Sequence, residues 1–78
     1  MTLVLNSSRK RSINNLSVRE IQVVELIVKE FNNDEISIQL KISKLTVESH
    51  RKNIFKKTQV KSIIGLVILA IKNNLVQI

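Results

Sequence analysis

A chain of 78 residues with no proline and a single glycine, Gly65, has few means of making the tight turns that a β-fold requires. That scarcity argues against an all-β architecture and for helices joined by short connections. The same chain has no cysteine and one histidine, His50, so no disulfide or zinc finger is available as a staple. A domain this short buries only roughly 60% of the surface its unfolded form exposes. Its apolar fraction of 44% is nevertheless that of a globule rather than a disordered tail. One domain is therefore expected, held by one shared core.

Helix starts and apolar periods place the elements. Ser17 to Glu20 has the spacing of a capping box, and Val23, Val24, Ile27 and Phe31 then recur on one face. The first helix should run from there to about Lys29. Asn32 to Glu35 repeats the cap, and a short second helix follows over about Asp34–Leu40, with Ile36 and Leu40 inward. Ile42 is an apolar plug in a tight connection, and Ser43 caps a third helix from about Lys44 to Lys57. Its Val47, His50 and Ile54 share one side; Leu45, Glu48, Ser49, Lys52 and Lys56 share the other.

The fourth helix is expected over roughly Ser62–Asn73 and is apolar on two sides. Ile63, Leu66, Val67 and Ala70 form one stripe; Ile64, Ile68, Ile71 and Leu75 form another. Four short helices cannot bury both, so the first is assigned to the core. The second, through Ile64, Ile68 and Ile71, is assigned to a homodimer seam, with a wider core within the chain as the alternative. Residues 1–15 have no helical period and read as a basic arm or linker before a domain at 16–78. In that arm Arg9, Lys10 and Arg11 are either solvated or in touch with phosphate.

The formal net charge is +7, from 13 basic and 6 acidic residues. From Lys41 to Lys61 the chain carries Lys41, Lys44, Arg51, Lys52, Lys56, Lys57 and Lys61 against one acid, Glu48. Charge gathered on one element points to a polyanionic partner rather than to general solubility. Two short helices joined by a tight turn, the second of them basic, describe a helix-turn-helix, and double-stranded DNA is the partner that fits it. A membrane-surface helix would carry large apolar residues opposite its charge, and here that side is β-branched. A basic face that meets an acidic protein of the transcription machinery and a membrane-surface amphipathic protein are the two other open readings. The longest apolar run is too short to span a bilayer, and no signal peptide opens the chain, so a cytoplasmic protein is expected. No catalytic residue, metal or cofactor is expected: His50 lies on the inward side, with no cysteine, serine–histidine pair or carboxylate pair around it.

Leu16-Ser17-Val18-Arg19-Glu20 resembles the L-[ST]-x-R-E opening of LuxR-type (GerE-like) helix-turn-helix domains. Asn33-Asp34-Glu35-Ile36 is similar to their N-[KD]-E-I, and the stretch from Leu40 to His50 is similar to L-x-I-S-x-x-T-V-x-x-H. Asn53-Ile54, Lys57 and Val60 continue the pattern, so that the resemblance covers about residues 16–76. It implies a four-helix domain whose third helix enters the major groove and whose fourth forms the dimer contact. It implies base contacts from Glu48, Ser49 and Lys52, and phosphate contacts from Ser43, Lys44, Thr46, Arg51, Lys56 and Lys57. Lys52 has the chemistry to donate to guanine O6 or N7. Glu48 either accepts from a cytosine amino group or pairs with Lys52 one turn on. Such a domain is often the output end of a response regulator, with an upstream receiver or sensor domain and RNA polymerase as partners; a standalone regulator is equally allowed.

The chain departs from the pattern in three places. The family often has Gly after the first helix and before I-S, where this sequence has Glu30 and Lys41. Loss of that Gly predicts either an altered turn or strain at Glu30. Ile63 stands where a basic residue is common, which removes a polar tether between helices.

Overall fold

A computed structural model describes residue 13 and residues 15–75. Four helices follow in chain order: α1 (Val18–Val28), α2 (Asn33–Leu40), α3 (Lys44–Thr58) and α4 (Ile63–Lys72). The all-α architecture and the four helix positions agree with the sequence reading to within one or two residues at each end. The expected arm lies outside the described residues except at its end. There Ile13 packs against the core, and its carbonyl accepts from the Leu16 N–H at 3.1 Å.

Each helix starts on a side-chain cap. Ser17 Oγ accepts from the Glu20 N–H at 3.1 Å, while the Ser17 N–H donates to Glu20 Oε1 at 2.9 Å. Asn32 and Glu35 form the same reciprocal pair, both bonds at 2.8 Å. Ser43 Oγ takes the Thr46 N–H at 3.0 Å, and Ser62 Oγ takes the Gly65 N–H at 3.1 Å. Each cap satisfies an amide left orphaned by helix geometry and contributes about 1 kcal/mol.

The helix ends explain how a chain with one glycine turns. Glu30 (φ 69°), Lys41 (φ 60°) and Asn74 (φ 58°) all occupy the left-handed region. After α1, the Glu30 N–H donates to the Ile27 carbonyl at 2.9 Å and the Phe31 N–H to the Leu26 carbonyl at 3.0 Å. Lys41 and Ile42 bond back to Ile38 and Ser37 in the same way, and Asn74 and Leu75 to Ile71 and Ala70. This two-bond closure is the Schellman motif, which usually places Gly at the left-handed position. Of the two outcomes expected for the missing glycines, the turns are kept and Glu30 carries the strain. Gly65, the one glycine, lies within α4 and has no positive φ.

The core sits where α1 meets α3 and α4, and α2 closes over α3. Val23, Val24, Ile36, Val47, Ile54, Leu66 and Ala70 are fully buried. Thr58 is buried with them, its hydroxyl donating to the Ile54 carbonyl at 2.8 Å. His50 is half-buried on the inward side. One expectation for α4 is corrected. Its inward stripe is Leu66, Leu69 and Ala70, with Val67 half-buried and Ile63 exposed. Packing against α1 rotates the helix so that Leu69, which fell in neither predicted stripe, turns inward.

Left-handed backbone at a residue with a Cβ costs on the order of 1 kcal/mol or more. Glu30→Gly should therefore raise the unfolding free energy by about 1 kcal/mol, seen as a higher urea midpoint with an unchanged slope. Glu30→Val, β-branched at the same φ, should lower the midpoint. Equal midpoints for the two variants would contradict a strained Glu30.

Candidate nucleic-acid interface

The turn between α2 and α3 is built by Lys41, Ile42 and Ser43. Lys41 reverses the chain in its left-handed conformation, half-buried Ile42 packs against the core, and Ser43 starts α3. Ser43 Oγ and Thr46 Oγ1 also lie 2.8 Å apart, so the two hydroxyls expected at phosphate are tied to each other at the exposed start of α3. Val47, Ile54 and Thr58 hold α3 from below. At roughly 100° per residue this sends Leu45, Ser49, Lys52 and Lys56 outward, with Glu48 and Asn53 at the sides of that face. All six are exposed. Of these, Leu45, 74% exposed, and Asn53 were given no role in the sequence reading; the outward position of Leu45 was already visible in the helical period.

The remaining predicted contacts divide. Lys44, at the first position of α3, forms an ion pair with Asp34 of α2, Nζ to Oδ1 at 3.0 Å. Arg51 is half-buried and lines a cleft with Glu30, Phe31, Asp34, Glu48 and Ile63. Lys57 has a partner other than the expected phosphate. Its ammonium donates to Glu20 Oε1 at 2.9 Å and Oε2 at 3.1 Å, joining the end of α3 to the start of α1. Glu20 is 5% exposed at its side chain and Lys57 is 38% exposed. These are the two ion pairs among the described residues; Glu48 and Lys52 do not form one.

Glu20 is thus a structural support of α3 that sequence reasoning saw only as a helix cap. Its position three, four and seven residues before Val23, Val24 and Ile27 places it on the apolar face of α1. Burial there raises its pKa, but the Ser17 N–H and the Lys57 ammonium outweigh burial and hold the carboxyl below its ordinary value of 4.5. Lys44 is shifted upward by its hydrogen bond to Asp34 and by the charges of Asp34 and Glu48.

A short helix, a tight turn and a second helix with a free basic face constitute a helix-turn-helix, the architecture of a DNA-binding regulatory domain. The chain belongs to the luxR family of bacterial regulatory proteins: the GerE family model matches residues 14–70. The uncharacterized response regulatory protein YgeK of Escherichia coli (strain K12) is 44% identical over 66 residues, covering 85% of this chain and 45% of that protein. The response regulator protein TmoT of Ectopseudomonas mendocina is 43% identical over 61 residues, 78% of this chain and 28% of its own length. The chain thus spans less than half the length of these relatives. The solved structure of the transcription factor GerE superposes with a TM-score of 0.70 at 32% identity, over 77% of this chain and 90% of that one.

Folded-state depression of the Glu20 pKa contributes stability that is present at neutral pH. It is lost as pH falls from the ordinary carboxylate value through the lower folded one. Lys57→Met leaves the buried carboxylate with the Ser17 N–H as its remaining counterweight. It should cost about 1–3 kcal/mol at pH 7, less than the roughly 3–5 kcal/mol of a fully buried pair because water reaches the Lys57 amine. The acid limb of its stability curve should move to higher pH. Superimposable acid melts for the parent and variant would refute this role for Lys57.

Proposed function

We propose that this domain binds double-stranded DNA sequence-specifically, with α3 in the major groove, as the output domain of a response regulator acting in the cytoplasm. The observation that carries this reading is the outward face of α3. Lys52 and Lys56 stand exposed there, in no ion pair among the described residues, beside Glu48 and Ser49. Phosphate neutralisation supplies most of the affinity, and the base edges met by Glu48, Ser49 and Lys52 supply sequence preference. Leu45, apolar and exposed on the same face, suits a thymine methyl. Ser43, Thr46, Arg51 and Lys56 are assigned to phosphate. Two longer relatives named as response regulators support an upstream receiver domain as the source of the signal, with RNA polymerase as the downstream partner.

Dimerisation is assigned to α4. Ile64, Ile68 and Ile71 are 72%, 48% and 39% exposed, a run of large apolar side chains left without cover in the single chain. A second copy placed there would present two α3 helices to half-sites about one helical turn apart.

A gel shift on duplex DNA should show binding that weakens steeply with salt. Lys56→Ala should lower affinity for all sequences alike and reduce the log–log salt slope by about 1, whereas Lys52→Ala should relax the preferred sequence in a selection from random duplexes, at about 1–3 kcal/mol. Absence of any shift at low salt would overturn DNA binding in favour of a protein partner. For the dimer, sedimentation of Ile68→Glu should show a monomer at concentrations where the parent chain dimerises. An unchanged equilibrium would remove α4 from the interface.

A further inference from the structure

Lys44 is the basic residue nearest the tight turn on α3, and the sequence pattern assigns it to phosphate. Its surroundings offer it a second anion. The ammonium lies 3.0 Å from Asp34 on α2, and the charge of Glu48, one turn further along α3, acts on it as well. Both members of the Lys44–Asp34 pair are well exposed, at 60% and 63%, so burial does not lock the contact. The pair is nevertheless self-contained. Moving the lysine to a phosphate would leave Asp34 uncompensated, with Glu48 close by, against a polyanion, where like charges repel.

We infer that Asp34 is an internal phosphate substitute: it retains Lys44 when DNA binds, keeps that lysine out of the backbone contacts, and so lowers non-specific affinity at the leading end of α3. The inference rests on the DNA-binding reading above. It makes Asp34 a positioning residue acting through Lys44. The backbone attraction of α3 is thereby shifted toward Lys52 and Lys56, away from its first turn. The start of α3 then approaches DNA through uncharged Ser43, Leu45, Thr46 and Ser49, with Glu48 beside them, while exposed Lys41 stays in the connection before it. Weakened backbone attraction reduces binding to all sequences alike, so the fraction of affinity that depends on base contacts rises.

The test uses the full chain, a duplex of mixed sequence about 30 base pairs long, and binding constants measured across a range of KCl concentrations. Four proteins are compared: the parent, Asp34→Asn, Lys44→Ala and the double variant. Asn is isosteric with Asp at an exposed site, and circular dichroism melts verify that each variant folds. Lys44→Ala in the parent background should leave the log–log slope unchanged. Asp34→Asn should frees Lys44 for phosphate, steepening the slope by about 0.9 and tightening binding about two- to fivefold at low salt. Adding Lys44→Ala to Asp34→Asn should remove both gains. A slope that falls by about 0.9 in Lys44→Ala alone would overturn the inference, because Lys44 would already be on phosphate. A gain from Asp34→Asn that survives Lys44→Ala would also overturn it, leaving only the general field of a lost carboxylate. Failure of all four proteins to bind would instead sink the DNA-binding reading, and the inference with it.

Discussion

Burial of one side of α3 is the constraint from which the rest of this domain follows. Val47, Ile54 and Thr58 reach full burial against α1 and α2, which fixes the rotation of the helix about its own axis. Rotation by a single residue, roughly 100°, would take Lys52 off the outward face and bring Ser49 toward the side. The Glu20–Lys57 pair acts on the same degree of freedom from the far end. It ties the last turn of α3 to the first turn of α1 through two short bonds to a carboxylate that packing has already removed from water. Hydrophobic burial supplies most of the energy and is non-directional. The ion pair adds direction, because Glu20 is itself held by the Ser17 N–H and cannot follow Lys57 if α3 turns.

The connections show how such packing is reached without glycine. Three helix ends use the same two-bond closure, with Glu30, Lys41 and Asn74 at the left-handed position. Asn tolerates that conformation better than Glu or Lys does. The amide bonds returned to the preceding helix, and the burial of the apolar residue that follows, offset the local cost. Phe31 and Ile42 each follow a left-handed residue and pack against the core. Strain at Lys41 is thus tied to the turn that sets α2 against α3, and a small domain tolerates it because that turn positions the candidate reading helix.

Much of this was legible in the sequence, and the parts that were not have a common cause. Ser17, Asn32 and Ser43 announced helix starts because caps are local: donor and acceptor lie within three residues. Val47 and Ile54 announced the inner face of α3 because the helical period is local too. The Glu20–Lys57 pair joins residues 37 apart, and the sequence contains no rule that brings those two together. Lys57 therefore looked like every other lysine of a basic helix. The pairing of Lys44 was illegible for the same reason, since its carboxylate lies across the turn. In α4 large apolar residues occur on more than one side, so the inward position of Leu69 and the exposure of Ile63 were set by packing against α1.

The distribution of charge along α3 follows from these contacts. Five basic residues lie between Lys44 and Lys57, namely Lys44, Arg51, Lys52, Lys56 and Lys57, and two of them hold carboxylates of the same chain. Those two sit at the helix ends, each clasping a neighbouring helix, while Lys52 and Lys56 point outward from the second half. A net charge of +7 therefore overstates the attraction that α3 itself exerts on a phosphate backbone. For a DNA reader this partition has a consequence. Each lysine committed inside the fold reduces the salt-sensitive attraction that every sequence shares and stiffens the frame that carries the base-facing residues. Because that attraction is common to every sequence, its loss leaves the ratio of specific to non-specific affinity unchanged and makes base contacts a larger share of a weaker total.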